Sequence, residues 1–225
     1  MVFKKAIDEN DALQIIEAKK TGAFRTMLQR PKKQNVHMHS LKLYYECLLV
    51  VSGKYVADYY RMATHTISVD SNVKEAVLGD AVFPVQKKSA FKRAFVGKRG
   101  KNKIDLKVEE HVYVEEEAKI VFDHDGQETQ IPFKADSKII ENYPKRILSK
   151  NKEFVRRSEL THEEATSRLQ EHLKKSLASE VRGITEEFSL DKITEMYVPI
   201  FEARLVGPKK KVAIMRLDAV KKKIL

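Results

Sequence analysis

The chain of 225 residues contains one cysteine, no tryptophan, six prolines and eight glycines. A lone Cys47 cannot close an internal disulfide, which excludes the stapled framework of a small secreted domain. So little glycine and proline excludes collagen-like and low-complexity chains. With 42% hydrophobic residues, a chain of this length buries a core without staples. No apolar run reaches the ~20 residues of a membrane-spanning helix. The opening MVFKKAIDENDA follows its basic pair with polar residues rather than the apolar stretch of a secretion leader. The expectation is a cytoplasmic protein with no membrane partner.

What the chain has in surplus is positive charge: 43 Lys+Arg stand against 32 Asp+Glu, a net +11. Such an excess points to polyanionic partners.

Near the N-terminus, Ala12, Leu13, Ile15 and Ile16 recur at helical spacing behind a cap at Asn10 or Asp11, and Gly22 is the expected stop. A second helical turn with Phe24, Met27 and Leu28 facing inward ends at Arg30, because Pro31 disfavours the helical region for the residue before it. The period then changes to two. Leu41, Leu43, Tyr45, Cys47, Leu49 and Val51 predict a long strand, Ser52-Gly53-Lys54 a turn, and Tyr55, Ala57 and Tyr59 the start of a return strand. Thr64 to Val69 reads as strand, ending at the turn Asp70-Ser71-Asn72.

The C-terminal part follows a similar order. Thr161 with Glu164 forms a capping box, and Ala165, Leu169, Leu173 and Leu177 make one apolar helical stripe. A strand from Ile193 to Val206, a Gly207-Pro208 turn and a strand from Lys211 to Leu217 follow. Between the two parts lie strands over Ile104–Val108, His111–Val114 and Ile120–Phe122, and a turn at Asp123-His124-Asp125-Gly126. The expected fold is α+β: two helix-strand-strand units with antiparallel sheets, over residues 1–83 and 160–225. A charged β insertion and basic linker over 84–159 joins them.

A helix, a long strand, a turn and a strand ending in Ile214-Met215-Arg216-Leu217-Asp218 resemble the small PepSY-type αββ module. The resemblance is clearest over residues 160–225 and weaker over 8–80, and Ala219 stands where that module usually has a glycine. The whole arrangement also resembles cytoplasmic proteins of archaea. Since PepSY-like units bind or inhibit, the resemblance implies a non-enzymatic protein without a cofactor.

The strongest candidate site is QKKSAFKRAFVGKRGKNK, residues 86–103. Lys87, Lys88, Lys92, Arg93, Lys98, Arg99, Lys101 and Lys103 occur there with no acidic residue. A basic segment with glycine hinges tracks a phosphate backbone and releases its counterions, and Phe91 and Phe95 are placed to stack on unpaired bases. The bland alternatives are that Glu109, Glu110, Glu115, Glu116 and Glu117 neutralise the block, and that Phe91 and Phe95, four apart, form a helix's core face. Lys209, Lys210 and Lys211 at the last hairpin tip extend the candidate footprint. With no helix-turn-helix, zinc spacing or RNP-type aromatic strand, this suits RNA or a ribonucleoprotein such as the ribosome, in translational regulation or hibernation, better than a DNA site.

Other chemistry is thinner. His37 and His39, two apart, share one face of a strand that His65 or Cys47 could approach, but zinc needs four ligands and no paired spacing exists. No metal is expected. Asp105 with Glu117-Ala118-Lys119 fits the loose pattern of Mg-dependent nucleases, a cheap match in a chain that is 33% charged. Tyr44, Tyr45, Tyr55, Tyr59 and Tyr60 read as cross-strand packing or, alternatively, as an exposed aromatic face for a partner or a homodimer. The resulting expectation is non-enzymatic RNA or ribonucleoprotein binding. The alternatives are a protein-interaction adaptor and, behind it, a nuclease.

Overall fold

The computed structural model describes residues 1–25, 31–86, 102–131, 139–174 and 181–225. Among these, the fold is α+β with a mostly antiparallel sheet. The elements are α1 (Glu9–Lys19), β1 (His37–Val69), β2 (Glu75–Leu78), β3 (Ala81–Pro84), β4 (Asn102–Phe122), β5 (Glu128–Thr129), α2 (Pro144–Lys150), β6 (Val155–Arg156), α3 (His162–Lys174), β7 (Val181–Val206), β8 (Val212–Asp218) and β9 (Lys223–Ile224). The main sheet runs β5-β4-β1-β7-β8-β9, with β6 pairing parallel to β1, while β2 and β3 form a separate hairpin.

The described residues group into two compact units. Unit 1 comprises Met1–Lys54, Glu117–Leu173 and Ser189–Leu225, and unit 2 comprises Tyr55–Glu116 and Lys174–Phe188. Both are built from separated stretches of chain, and the divisions fall inside β1, β4 and β7 rather than after residues 83 and 159. The structure does not confirm two consecutive helix-strand-strand units with an insertion.

The reason lies in β1. Ser52, Gly53 and Lys54 do not turn; the strand runs through them. Val51, Gly53, Tyr55, Ala57 and Tyr59 are all buried and alternate without a break. A turn at Gly53 would break that inward series, so the period of two outweighs the turn composition. In the same way β4 is one strand across the three segments expected there, and β7 begins at Val181 rather than at Ile193. The added residues of β7 are mostly exposed and polar, so they lack the apolar alternation that marks a strand.

Local chemistry explains the helices. Asp8, not Asn10 or Asp11, caps α1: its carboxylate accepts from the Asp11 N–H at 2.9 Å, and Asp11 reciprocates toward the Asp8 N–H at 3.4 Å. The helix passes at Lys20 into a 3-10 turn that ends at Phe24, while Met27 and Leu28 lie outside the described residues. Thr161 and Glu164 make the expected box, with Glu164 N–H donating to Thr161 Oγ1 at 3.2 Å and Thr161 N–H donating to Glu164 Oε2 at 2.9 Å. Ala165, Leu169 and Leu173 of α3 are buried; Leu177 lies outside the described residues.

Unit 1 has a layered core. Ala12 and Ile16 of α1 pack with Val36, Phe201, Ala203, Leu205, Met215 and Leu217 from the strands. A second cluster joins Phe3, Val50, Val121, Val198 and Ile200, and a third joins Val2, Tyr45, Cys47 and Tyr197. Phe3 N–H donates to the Tyr197 carbonyl at 2.9 Å, and Tyr197 N–H donates to the Met1 carbonyl at 2.8 Å, so the first residues are part of the fold. Strands β7 and β8 form the expected hairpin, in register from Ile200 opposite Asp218 to Val206 opposite Val212.

Candidate nucleic-acid interface

Of the thirteen residues expected to meet nucleic acid, Lys87, Lys88, Phe91, Lys92, Arg93, Phe95, Lys98, Arg99 and Lys101 lie outside the described residues. Their flanks are described, within unit 2. Gln86 N–H donates to the Lys103 carbonyl at 2.8 Å, and Val85 and Ile104 form an antiparallel bridge. The residues that precede and follow the basic block are thus held side by side, with Lys103 exposed at the start of β4.

Asp105 secures this junction. Its carboxylate accepts from Thr66 Oγ1 at 2.6 Å and from Gln86 Nε2 at 2.5 Å. These two bonds hold the carboxyl below its usual value. Asp105 belongs to unit 2, whereas Glu117 and Lys119 belong to unit 1, and its acceptor oxygens are engaged with neutral donors. Among the described residues no group of three or more His, Cys, Asp or Glu side chains is placed to hold a metal ion. His37 and His39 are exposed at the start of β1, while Cys47 is fully buried, its thiol pushed up to about 11 first by burial and then by Glu195.

Lys209, Lys210 and Lys211 sit at the β7–β8 connection of unit 1, all exposed. The Gly207 N–H donates to the Lys211 carbonyl at 2.8 Å and closes the turn. Inside it Lys209 and Lys210 both adopt the left-handed conformation, with φ of 58° and 59°. Two consecutive non-glycine residues in that region are uncommon and carry a steric cost. Among the described residues no carboxylate pairs with these three ammonium groups. Lys103 belongs to the other unit.

A second polar constellation was not legible in the sequence. Glu46, buried on β1, accepts from Arg156 Nη1 at 2.8 Å and from Arg216 Nη2. Arg156 also donates to Glu202 at 2.9 Å and lies 3.8 Å over the Tyr44 ring. His124 approaches Glu46 at 3.8 Å and Asp125 at 3.4 Å. Glu46, His124, Asp125 and Arg216 line a cleft of about 230 Å³ that Cys47, Ile200, Asp218 and Leu225 help complete. Here two arginines answer two glutamates across β1, β6, β7 and β8, which is the arrangement of a cross-strand clamp. Asp218, also buried, turns inward to accept from the Val220 and Lys221 N–H groups at 2.8 and 2.9 Å, fixing the chain after β8.

In unit 2 the polar pairs are part-buried or exposed. Glu110 accepts from Arg61 at 2.9 Å and contacts His65 at 2.5 Å, and these bonds, His65 first, hold its carboxyl below the usual value. Tyr55 is buried with its hydroxyl on Glu186 at 2.6 Å, which lies in turn 3.1 Å from Lys174. Burial, and then the Glu186 bond, push the Tyr55 phenol up to about 12. Of the five clustered tyrosines, Tyr45, Tyr55 and Tyr59 are buried, Tyr44 is half-buried and Tyr60 is exposed.

Comparison with protein-family models, with curated proteins and with solved structures gives no match. No helix among the described residues is long and apolar enough to cross a membrane.

Proposed function

We propose that the protein is a non-enzymatic RNA-binding protein that docks on RNA or a ribonucleoprotein through its basic segments. The observation that carries this reading is the β7–β8 tip. Three consecutive lysines stand exposed there without carboxylate partners among the described residues, two of them in the left-handed backbone conformation. The eight basic residues of 87–103, free of acidic residues in sequence, supply the larger share of the charge. The flanks of that block are pinned by the Gln86–Lys103 bond and the Asp105 junction. Counterion release from a phosphate backbone gives binding that weakens steeply with salt.

The test is fluorescence anisotropy of a labelled RNA across salt concentrations. Replacing Lys209, Lys210 and Lys211 by serine is expected to reduce the slope of log K against log salt by about 2, at about 0.7 per lost contact for a single strand. Binding indifferent to salt, or a slope that the triple variant leaves unchanged, would contradict the role of the tip.

One observation favours a second reading, the protein-interaction adaptor. The β2–β3 hairpin exposes Val77, Leu78 and Val82 near its tip, an apolar surface of the kind that meets protein partners. Salt-tolerant association with a protein, undiminished by ribonuclease, would favour it.

A further inference from the structure

On the even-numbered face of β1 in unit 2, Asp58, Tyr60 and Met62 follow one another, and on the neighbouring strand β4 Glu109, His111 and Tyr113 share that face by strand alternation. The face is open: Tyr60 is 42% exposed, Met62 60% and Tyr113 61%. The rings of Tyr60 and His111 are stacked across the two strands, centroids 4.5 Å apart and planes 12° from parallel. The Asp58 carboxylate holds the His111 imidazole in place, Arg182 pairs with Glu109, Thr66 and Gln86 donate to Asp105, and the Tyr113 hydroxyl donates to Glu115 at 3.0 Å, so these four carboxylates of the face are each engaged. An exposed aromatic surface on a sheet is costly to leave in water unless something covers it.

We propose that this face is a stacking platform for unpaired bases of single-stranded RNA, built on the Tyr60–His111 ring pair and on Tyr113. The inference rests on the RNA-binding reading above and deepens it. Rings anchored at positions two apart on a strand lie about 7 Å from one another, a separation that an extended single strand can match by one nucleotide step. Every base offers a π face, so such a platform selects unpaired over paired RNA without reading sequence. Charge argues for the same occupant. The strand that carries His111 and Tyr113 begins at the end of the basic block, with Lys103 and Lys107 exposed on it, so phosphates can be met beside the bases. A basic peptide, by contrast, would meet those lysines.

The experiment uses the full chain and a single-stranded oligouridylate carrying 4-thiouridine. Photocrosslinks are expected in the peptides that contain Tyr60 and His111–Tyr113. In anisotropy titrations, Tyr113→Ala is expected to weaken single-strand affinity about tenfold, and Tyr60→Leu to a similar degree, each with an unchanged salt slope; stacking is worth roughly 1–3 kcal/mol per base. Affinity for a duplex of equal length should not move. RNA binding that persists with its salt slope while both variants bind as tightly as the parent, or crosslinks confined to other peptides, would overturn the platform and leave the basic-segment reading standing. Absence of RNA binding by the parent protein at moderate salt would overturn both. The crosslinking arm needs no variant to fold.

Discussion

Arg156 reaches from β6 to Glu46 on β1, Nη1 to Oε1 at 2.8 Å, and the glutamate that receives it is buried. Strand β6 has only two residues in its parallel pairing, so this bond is a large part of what fixes it. Arg156→Ala is expected to destabilise the fold by about 2 kcal/mol, the scale of a hydrogen bond to a charged group, because Arg216 still neutralises Glu46. Glu46→Gln should cost at least as much, since it weakens both arginine contacts. Urea unfolding of each variant measures this; a change under 0.5 kcal/mol would show the clamp to be incidental.

Gly207 and Phe24 test a close approach. A Cβ on Gly207 would stand 2.7 Å from the Phe24 ring, well inside van der Waals contact. Gly207→Ala is expected to cost about 2 kcal/mol through overpacking. The double variant Gly207→Ala with Phe24→Ala should be more stable than the sum of the single effects predicts, because the clash and the ring are removed together. Strict additivity would mean that the strain is absorbed elsewhere.

The acidic limb of stability belongs in part to unit 2. Asp105 and Glu110 are held below their usual carboxyl values, Asp105 by Thr66 and Gln86, Glu110 by His65 and Arg61. A carboxyl lowered in the folded state contributes stability above its unfolded value, and that contribution disappears as pH falls through the folded value. Thermal stability should therefore decline below about pH 4, and Asp105→Asn should make the decline shallower. Melting temperatures followed by circular dichroism across this range decide it; an unchanged decline would assign the acid sensitivity to other groups.

Cys47 should be inert in the folded protein. It is fully buried and its thiol is pushed up to about 11, so little thiolate forms at neutral pH and none is accessible. Ellman's reagent is expected to leave the native protein unmodified and to label one thiol per chain in denaturant. Rapid labelling under native conditions would place the thiol at the surface.

Much of this fold is written locally. The Thr161–Glu164 box, the stripe of α3 and the Gly207-Pro208 turn need only neighbours within a few residues, and the structure contains all three. The course of β1 is not local. Ser52-Gly53-Lys54 has the composition of a turn, and only the burial of Gly53 by surrounding strands makes it strand. Once that turn is gone, the division of the chain changes with it. The basic tip at Lys209–Lys211 was visible as charge, whereas its left-handed backbone was not. The Glu46–Arg156–Glu202–Arg216 clamp joins residues up to 170 positions apart, and no spacing in the sequence marks such a set. The sequence marks His111 only as the start of a strand; its stacking on Tyr60 depends on the register between β1 and β4, which a single chain's sequence does not specify.

The most direct test of RNA binding is sedimentation of the protein from lysate through a sucrose gradient, at low and moderate salt, with and without ribonuclease. Comigration with RNA-containing fractions at low salt is predicted, released by ribonuclease and weakened when Lys92, Arg93, Lys98 and Arg99 are neutralised. Sedimentation as a small free protein in every condition would contradict RNA binding.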